Sequence, residues 1–140
     1  MSCDKATVIG TVTLPGVDRS VASVRDFGRD LLGPDHPSLD DIQLCLSEAV
    51  TNGIRHTDSG RGGKVTVTFR ALADVIVAEV TDEGAGGARP YLRDDPSRVH
   101  GHGLRIINAL SLTWGVRPDG DRTTVWMRFP GPIPVTEGAR

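Results

Sequence analysis

Apolar and polar residues alternate from Thr7 to Leu14, with Val8, Gly10, Val12 and Leu14 on one side and Thr7, Ile9, Thr11 and Thr13 on the other. That period of two predicts a strand, ended by Pro15-Gly16. The spacing then lengthens. Val21, Val24, Phe27 or Gly28, Leu31 and Leu32 recur at helical intervals, so a first helix is expected to run to about Leu32, capped by Asp18 and stopped by Gly33-Pro34. A second helix opens at Ser38-Leu39-Asp40-Asp41. Its Ser-x-x-Asp spacing resembles a capping box, and two carboxylates suit the positive end of the helix dipole. Ile42, Leu46, Ala49, Val50, Gly53 and Ile54 form its apolar face, which ends near His56.

The period returns to two in the next segment. Val65, Val67 and Phe69 alternate with polar residues, and Ala73-Asp74 links them tightly to a second run from Val75 to Thr81, which predicts an antiparallel hairpin. Asp82-Glu83-Gly84-Ala85-Gly86-Gly87 closes that run. Residues 88–100 are polar and aperiodic, and they read as a mobile loop of a length that is usually functional. Gly101-His102-Gly103 opens a third helix with Leu104, Ile106, Ile107, Leu110 and Leu112 as its apolar set. Strands at 114–117 and 123–129 follow, joined by Pro118-Asp119-Gly120-Asp121, with Trp114 and Trp126 as sheet-face packing. The order β-α-α-β-β-α-β-β with tight strand links predicts an α+β fold. We expect a two-layer α/β sandwich: a mostly antiparallel sheet covered on one face by three helices. One domain is expected over residues 1–140, with its core at about 6–130 and a flexible tail over 131–140.

Composition narrows the function classes. The formal charge of −2 makes a nucleic-acid binder working through counterion release a poor expectation. No apolar run approaches the roughly 20 residues of a membrane helix, and the N-terminus carries no apolar signal core, so a cytoplasmic protein is expected. Cys3 and Cys45 are too few for a disulfide framework or a metal cluster; Cys3 reads as an exposed thiol and Cys45 as a near-core residue that could border a pocket.

Three constellations could carry chemistry. Glu48 and Asn52 lie four residues apart on one flank of the second helix. An Asn carbonyl beside a carboxylate offers the hard oxygen ligands Mg²⁺ accepts, or the carboxylate orients an attacking hydroxyl; a solvated pair is the plain alternative. Asp82-x-Gly84-x-Gly86-Gly87 follows a strand directly. A carboxylate there can accept a hydrogen bond from an exocyclic amino group, and glycines let a ligand approach the backbone, although an ordinary Gly-rich turn reads the same way. Gly101-x-Gly103 opens a helix, where free N–H groups and the dipole favour an anion. Arg89, Arg93, Arg98 and His100 populate the intervening loop, which could close over a bound polyphosphate.

Together these segments resemble a known family. Leu46-Ser47-Glu48-Ala49-Val50-Thr51-Asn52-Gly53-Ile54-Arg55-His56 looks like the N-box of the GHKL (gyrase, Hsp90, histidine kinase, MutL) ATP-binding superfamily, most of all its anti-sigma-factor serine/threonine kinase branch. The stretches 82–87 and 101–107 resemble its two glycine boxes, and Trp114-Gly115-Val116-Arg117-Pro118 with Thr123-Thr124-Val125-Trp126 resembles its closing hairpin. The resemblance implies a Bergerat-type fold that binds ATP and Mg²⁺. It implies Asn52 as the Mg²⁺ ligand, Glu48 as the general base and Asp82 as the partner of the adenine amino group. Gly84 and Gly86 would shape the base pocket, and Gly101, His102, Gly103 and Leu104 would stand at the phosphates. Arg55 and His56 would line the phosphate side, and Thr124 would lie near the adenine. Gly53 departs from the family, which more usually has Ala there, and His102 stands where a small or basic residue is common.

The implied function is an ATP-binding anti-sigma factor. It would phosphorylate a Ser or Thr of an anti-anti-sigma protein of the STAS type and sequester a sigma factor, with a homodimer possible and no direct contact with nucleic acid or membrane. The alternative is a non-catalytic ATP-binding regulator. A two-component histidine kinase is not expected, because the chain shows no additional phosphoacceptor helix pair.

Overall fold

A computed structural model describes residues 6–56, 61–83 and 104–134. β1 (Thr7–Pro15) leads into α1 (Ser20–Leu32) and α2 (Leu39–His56), then the hairpin β2 (Lys64–Leu72) and β3 (Val75–Asp82). α3 (104–110) precedes the second hairpin, β4 (Thr113–Asp119) and β5 (Arg122–Pro130). The five strands form one antiparallel sheet in the order β1-β2-β3-β5-β4. This is the α+β sandwich expected from the sequence.

The core lies between one sheet face and the helices. Val65, Val67 and Phe69 of β2, Ile76, Ala78 and Val80 of β3, and Val125, Met127 and Phe129 of β5 meet Val24, Ile42, Leu46, Ala49, Val50, Leu104 and Ile107 from the three helices. In α1 the buried residues are Ser20, Val24, Gly28 and Leu32, an exact four-residue spacing that yields a narrow stripe. Gly28 packs over the Phe69 ring, which also tilts against Phe27 at 5.7 Å between centroids.

Four local expectations are corrected. The alternation in β1 is broken by a bulge between Val8 and Gly10. An extra residue there inverts the facing of what precedes it, so Ile9 packs on the core while Val8 is 49% exposed. Asp18 makes no side-chain cap: Arg19 is the N-cap of α1, and the Ser20 hydroxyl instead donates to the Pro15 carbonyl at 2.6 Å. Ser38 forms no capping box either. Its hydroxyl donates to the Pro130 carbonyl at 2.8 Å, which ties the start of α2 to the end of β5. Residues 131–133 are docked rather than frayed, and positions 135–140 of the expected tail lie outside the described residues. Gly131 N–H donates to the Asp74 carbonyl, His36 Nε2 and the Pro132 carbonyl are 2.7 Å apart, and Ile133 packs against the core.

Residues 88–100, and the rest of 84–103, lie outside the described residues. Among the described residues, no helix is long and apolar enough to cross a membrane.

Phe69 is fully buried at the centre of the sandwich. Phe69→Ala is expected to lower the unfolding free energy by about 3–5 kcal/mol in urea titration; a loss under about 1 kcal/mol would place the core elsewhere.

Candidate functional site

The site begins where α2 crosses the end of β3. A Cβ built on Gly53 would lie 3.3 Å from Asp82 Cβ and 3.7 Å from Asp82 Oδ2. The helix therefore lies directly on the strand end, and the absent side chain is what lets it come so close. Asp82 is 2% exposed, a carboxylate held inside the sandwich at the last position of its strand. Burying a carboxylate is costly, so its placement at a strand end under a helix is a candidate for function.

Strand parity decides what stands beside Asp82. In the β3–β5 ladder Asp82 pairs with Thr123, and Thr81 pairs with Thr124. Thr123 shares its side of β5 with the core residues Val125, Met127 and Phe129, so it faces the helices with Asp82. Thr124 faces the opposite way, and its hydroxyl shares a 2.7 Å hydrogen bond with that of Thr81. The expectation for Thr124 fails on this point, because a one-residue step along a strand moves a side chain to the other face. Thr123 is the residue missed. Its parity with Val125 and Phe129 was the signal that could have found it. Thr123 Oγ1 is buried and has no hydrogen-bond partner among the described residues. An orphaned buried hydroxyl calls for an explanation, and a ligand carrying donor and acceptor nitrogens is one.

Glu48 and Asn52 are half-buried on one flank of α2, and Asn52 is the neighbour of Gly53. That flank runs toward α3. Cys45, one turn before Glu48, is fully buried, with its Sγ 4.0 Å from the Ile106 carbonyl. Burial, and then the charges of Asp41 and Glu48, push its thiol up from 9.0 to about 12. Cys45 is thus a core thiol between two helices and not a pocket wall.

The remaining expected residues divide. Arg55 and His56 are exposed in the last turn of α2, where cations suit the helix dipole. The Leu104 side chain is 6% exposed in the core, so what that position presents at the helix start is its backbone N–H. Gly84, Gly86, Gly101, His102 and Gly103 lie outside the described residues. Among the described residues no three His, Cys, Asp or Glu side chains converge on a metal position.

The arrangement is a buried carboxylate and an orphaned hydroxyl side by side at a strand end, under a helix whose flank carries Glu48 and Asn52. The sequence pattern of the histidine kinase-like ATPase domain matches residues 14–129. The chain belongs to that family. It is 40% identical over 64 residues to an anti-sigma F factor of Clostridium acetobutylicum, covering 46% of this chain and 44% of that protein. It is 28% identical over 91 residues to a serine-protein kinase RsbW of Oceanobacillus iheyensis, covering 56% of this chain and 58% of the relative. The chain therefore spans about half the length of these curated relatives. A solved structure of RsbU and RsbW domains from Mycobacterium tuberculosis superposes with a TM-score of 0.62 at 21% identity, covering 90% of this chain and 35% of that one, which establishes the shared fold.

Two outcomes test the geometry. Thr123→Val removes a hydroxyl that bonds nothing described, so stability in urea is expected to hold or rise, whereas Thr124→Val breaks the bond to Thr81 and is expected to lose about 1 kcal/mol. The reverse ranking would show that the two side chains have exchanged faces. In a Cys3→Ser background, Cys45 is expected to react with iodoacetamide at pH 8 no faster than the chain unfolds. Its raised pKa also favours the folded state fully below pH 9.0, and that contribution is expected to fade as pH rises toward 12. Prompt alkylation of the folded chain would contradict both statements.

Proposed function

We propose that the chain binds ATP at the Asp82 end of the sheet and transfers the γ-phosphoryl group to a serine or threonine hydroxyl of a partner protein, acting as an anti-sigma factor. Family membership carries ATP use. The single observation that supports the location is the pairing of buried Asp82 with the partnerless Thr123 hydroxyl beside Gly53.

These residues fit an adenine. Asp82 accepts from the exocyclic amino group, and the Thr123 hydroxyl can donate to or accept from a ring nitrogen beside it. Gly53 keeps the space between helix and strand free of a side chain that would press on the carboxylate. Gly84 and Gly86 complete the base pocket in this reading. Asn52 would hold Mg²⁺ through its side-chain oxygen. The metal, when bound, neutralises charge on the terminal phosphates. Glu48, one turn from Asn52, takes the proton of the acceptor hydroxyl as its oxygen bonds to the γ-phosphorus and the bond to the β–γ bridging oxygen breaks. Arg55, His56 and the N-terminus of α3, with Gly101, His102, Gly103 and the Leu104 N–H, hold the phosphates. Thr124 has no part in the base pocket.

The relatives' names, an anti-sigma F factor and a serine-protein kinase, support a sigma factor and its phosphorylatable antagonist as the partners. The site lies in one chain, and a homodimer would leave it complete. Cytoplasmic action follows from those partners.

Mg²⁺-ATP at a hundredfold excess over its dissociation constant is expected to raise apparent stability by about 2.7 kcal/mol, and Asp82→Asn to abolish the rise. Glu48→Ala is expected to keep the rise while losing transfer of labelled phosphate to an antagonist protein by at least 100-fold. Stabilisation without transfer by the unmutated chain would leave a binding regulator; no stabilisation by any adenosine nucleotide would refute the site.

A further inference from the structure

The sheet has a second face, which no helix among the described residues covers. Its central part holds a groove of about 370 Å³. Arg70 on β2, Val77 on β3 and Arg128 on β5 form one cross-strand row along it, and Glu79 and Trp126 stand side by side in the next. Arg117 reaches in from β4, at the far edge.

Three features make this a built site and not a solvated surface. Trp126 lies flat on the backbone of β4: a Cβ on Gly115 would fall 2.5 Å from its Cζ2, so only glycine leaves the ring its seat. Arg128 stacks over the same ring at 5.3 Å from its centroid, while its Nε is buried without a hydrogen-bond partner among the described residues. Glu79, 9% exposed, receives Arg70 Nε on one oxygen at 3.1 Å and faces Arg117 Nη2 with the other at 3.7 Å. Two guanidinium groups thus share one carboxylate while the third, Arg128, rests on the indole, and the groove lining of three arginines and one glutamate stays positive in a chain whose net charge is −2. A guanidinium carries five N–H donors, so acceptors are in deficit.

We propose that this open sheet face docks an acidic peptide segment of a partner protein. Charge complementarity selects carboxylates, which a guanidinium fork binds in a bidentate fashion. Val77, Leu72 and the Trp126 ring offer apolar ground between the cations, so the segment alternates acidic and apolar side chains. From β2 to β4 the groove spans three strand spacings, roughly 14 Å, which is the length of four or five extended residues and too long for a lone anion. The Arg128 Nε–H gains the acceptor it lacks. This surface is on the side of the sheet opposite Asp82 and does not depend on the nucleotide reading.

The test uses the full chain with Trp114→Phe, so that Trp126 is the single indole, and a capped hexapeptide alternating glutamate and leucine. Saturable quenching of Trp126 is expected, weakening at least tenfold from 50 to 300 mM salt. Arg117→Glu, at a half-exposed position that spares the core, is expected to weaken binding at least tenfold, and Arg128→Gln to do the same, with melting temperatures checked for each. The peptide with lysine in place of glutamate is expected not to bind. Four results would each overturn the proposal: no saturation at 1 mM peptide, equal binding of the lysine peptide, unchanged affinity in Arg117→Glu, or displacement by inorganic phosphate at equimolar concentration. Sedimentation of the chain as a dimer that Arg117→Glu dissociates would assign the face to a second copy and overturn it as well.

Discussion

The close approach of α2 to the end of β3 is the constraint on which the rest of the molecule depends. With no side chain at Gly53, the helix rests against Asp82 within van der Waals distance. That contact sets the height of α2 over the sheet. It also sets where the flank bearing Glu48 and Asn52 stands relative to the strand-borne carboxylate. Had alanine been at 53, its methyl group would press on the Asp82 side chain, and either the helix or the carboxylate would move by a few tenths of an ångström. The departure from the usual family residue is therefore a departure in packing, and it leaves every chemical group in place.

Around this contact the protein tolerates features that cost stability. A buried carboxylate lies next to a buried hydroxyl, that of Thr123, which has no partner among the described residues, at the edge of a core that is otherwise aliphatic and aromatic. Polar groups are expensive to bury, and proteins retain such arrangements where something else gains from them. The core itself supplies the compensation. Phe69, Phe129, Ile42, Leu46 and Ile107 are fully enclosed, and together they hold three helices on one sheet face. Cys45 belongs to this scaffold. Its thiol sits against the backbone of α3 and stays protonated, so the seam between the two helices is apolar.

The central strands carry different chemistry on their two faces. On the covered face β3 presents Ile76, Ala78, Val80 and Asp82 to the helices. On the open face it presents Val77 and Glu79 to a ring of arginines and a tryptophan. Because the faces alternate residue by residue, the proposed nucleotide site and the positively charged groove both draw on β3 and β5 without sharing a side chain.

Much of this was legible in the order of the residues. The periods of two and of 3.6 located each strand and helix among the described residues, since burial on one face imposes them locally. The Glu48/Asn52 spacing and the acidic turn at Asp82 are short-range geometry and so were visible, and the resemblance to the ATPase family singled them out as the candidate site. What the chain could not reveal alone depends on register. The bulge at Val8–Gly10 inverted one strand's facing, and a one-residue offset separated Thr123 from Thr124. Ser38 and Pro132 found partners more than ninety positions away in place of local caps or solvent. The open-face cluster drew Arg70, Glu79, Arg117 and Trp126 from four strands, and no sequence period brings such residues together. Pairing across a sheet is set by the packing of the whole, so only the folded chain decides which side chains share a face.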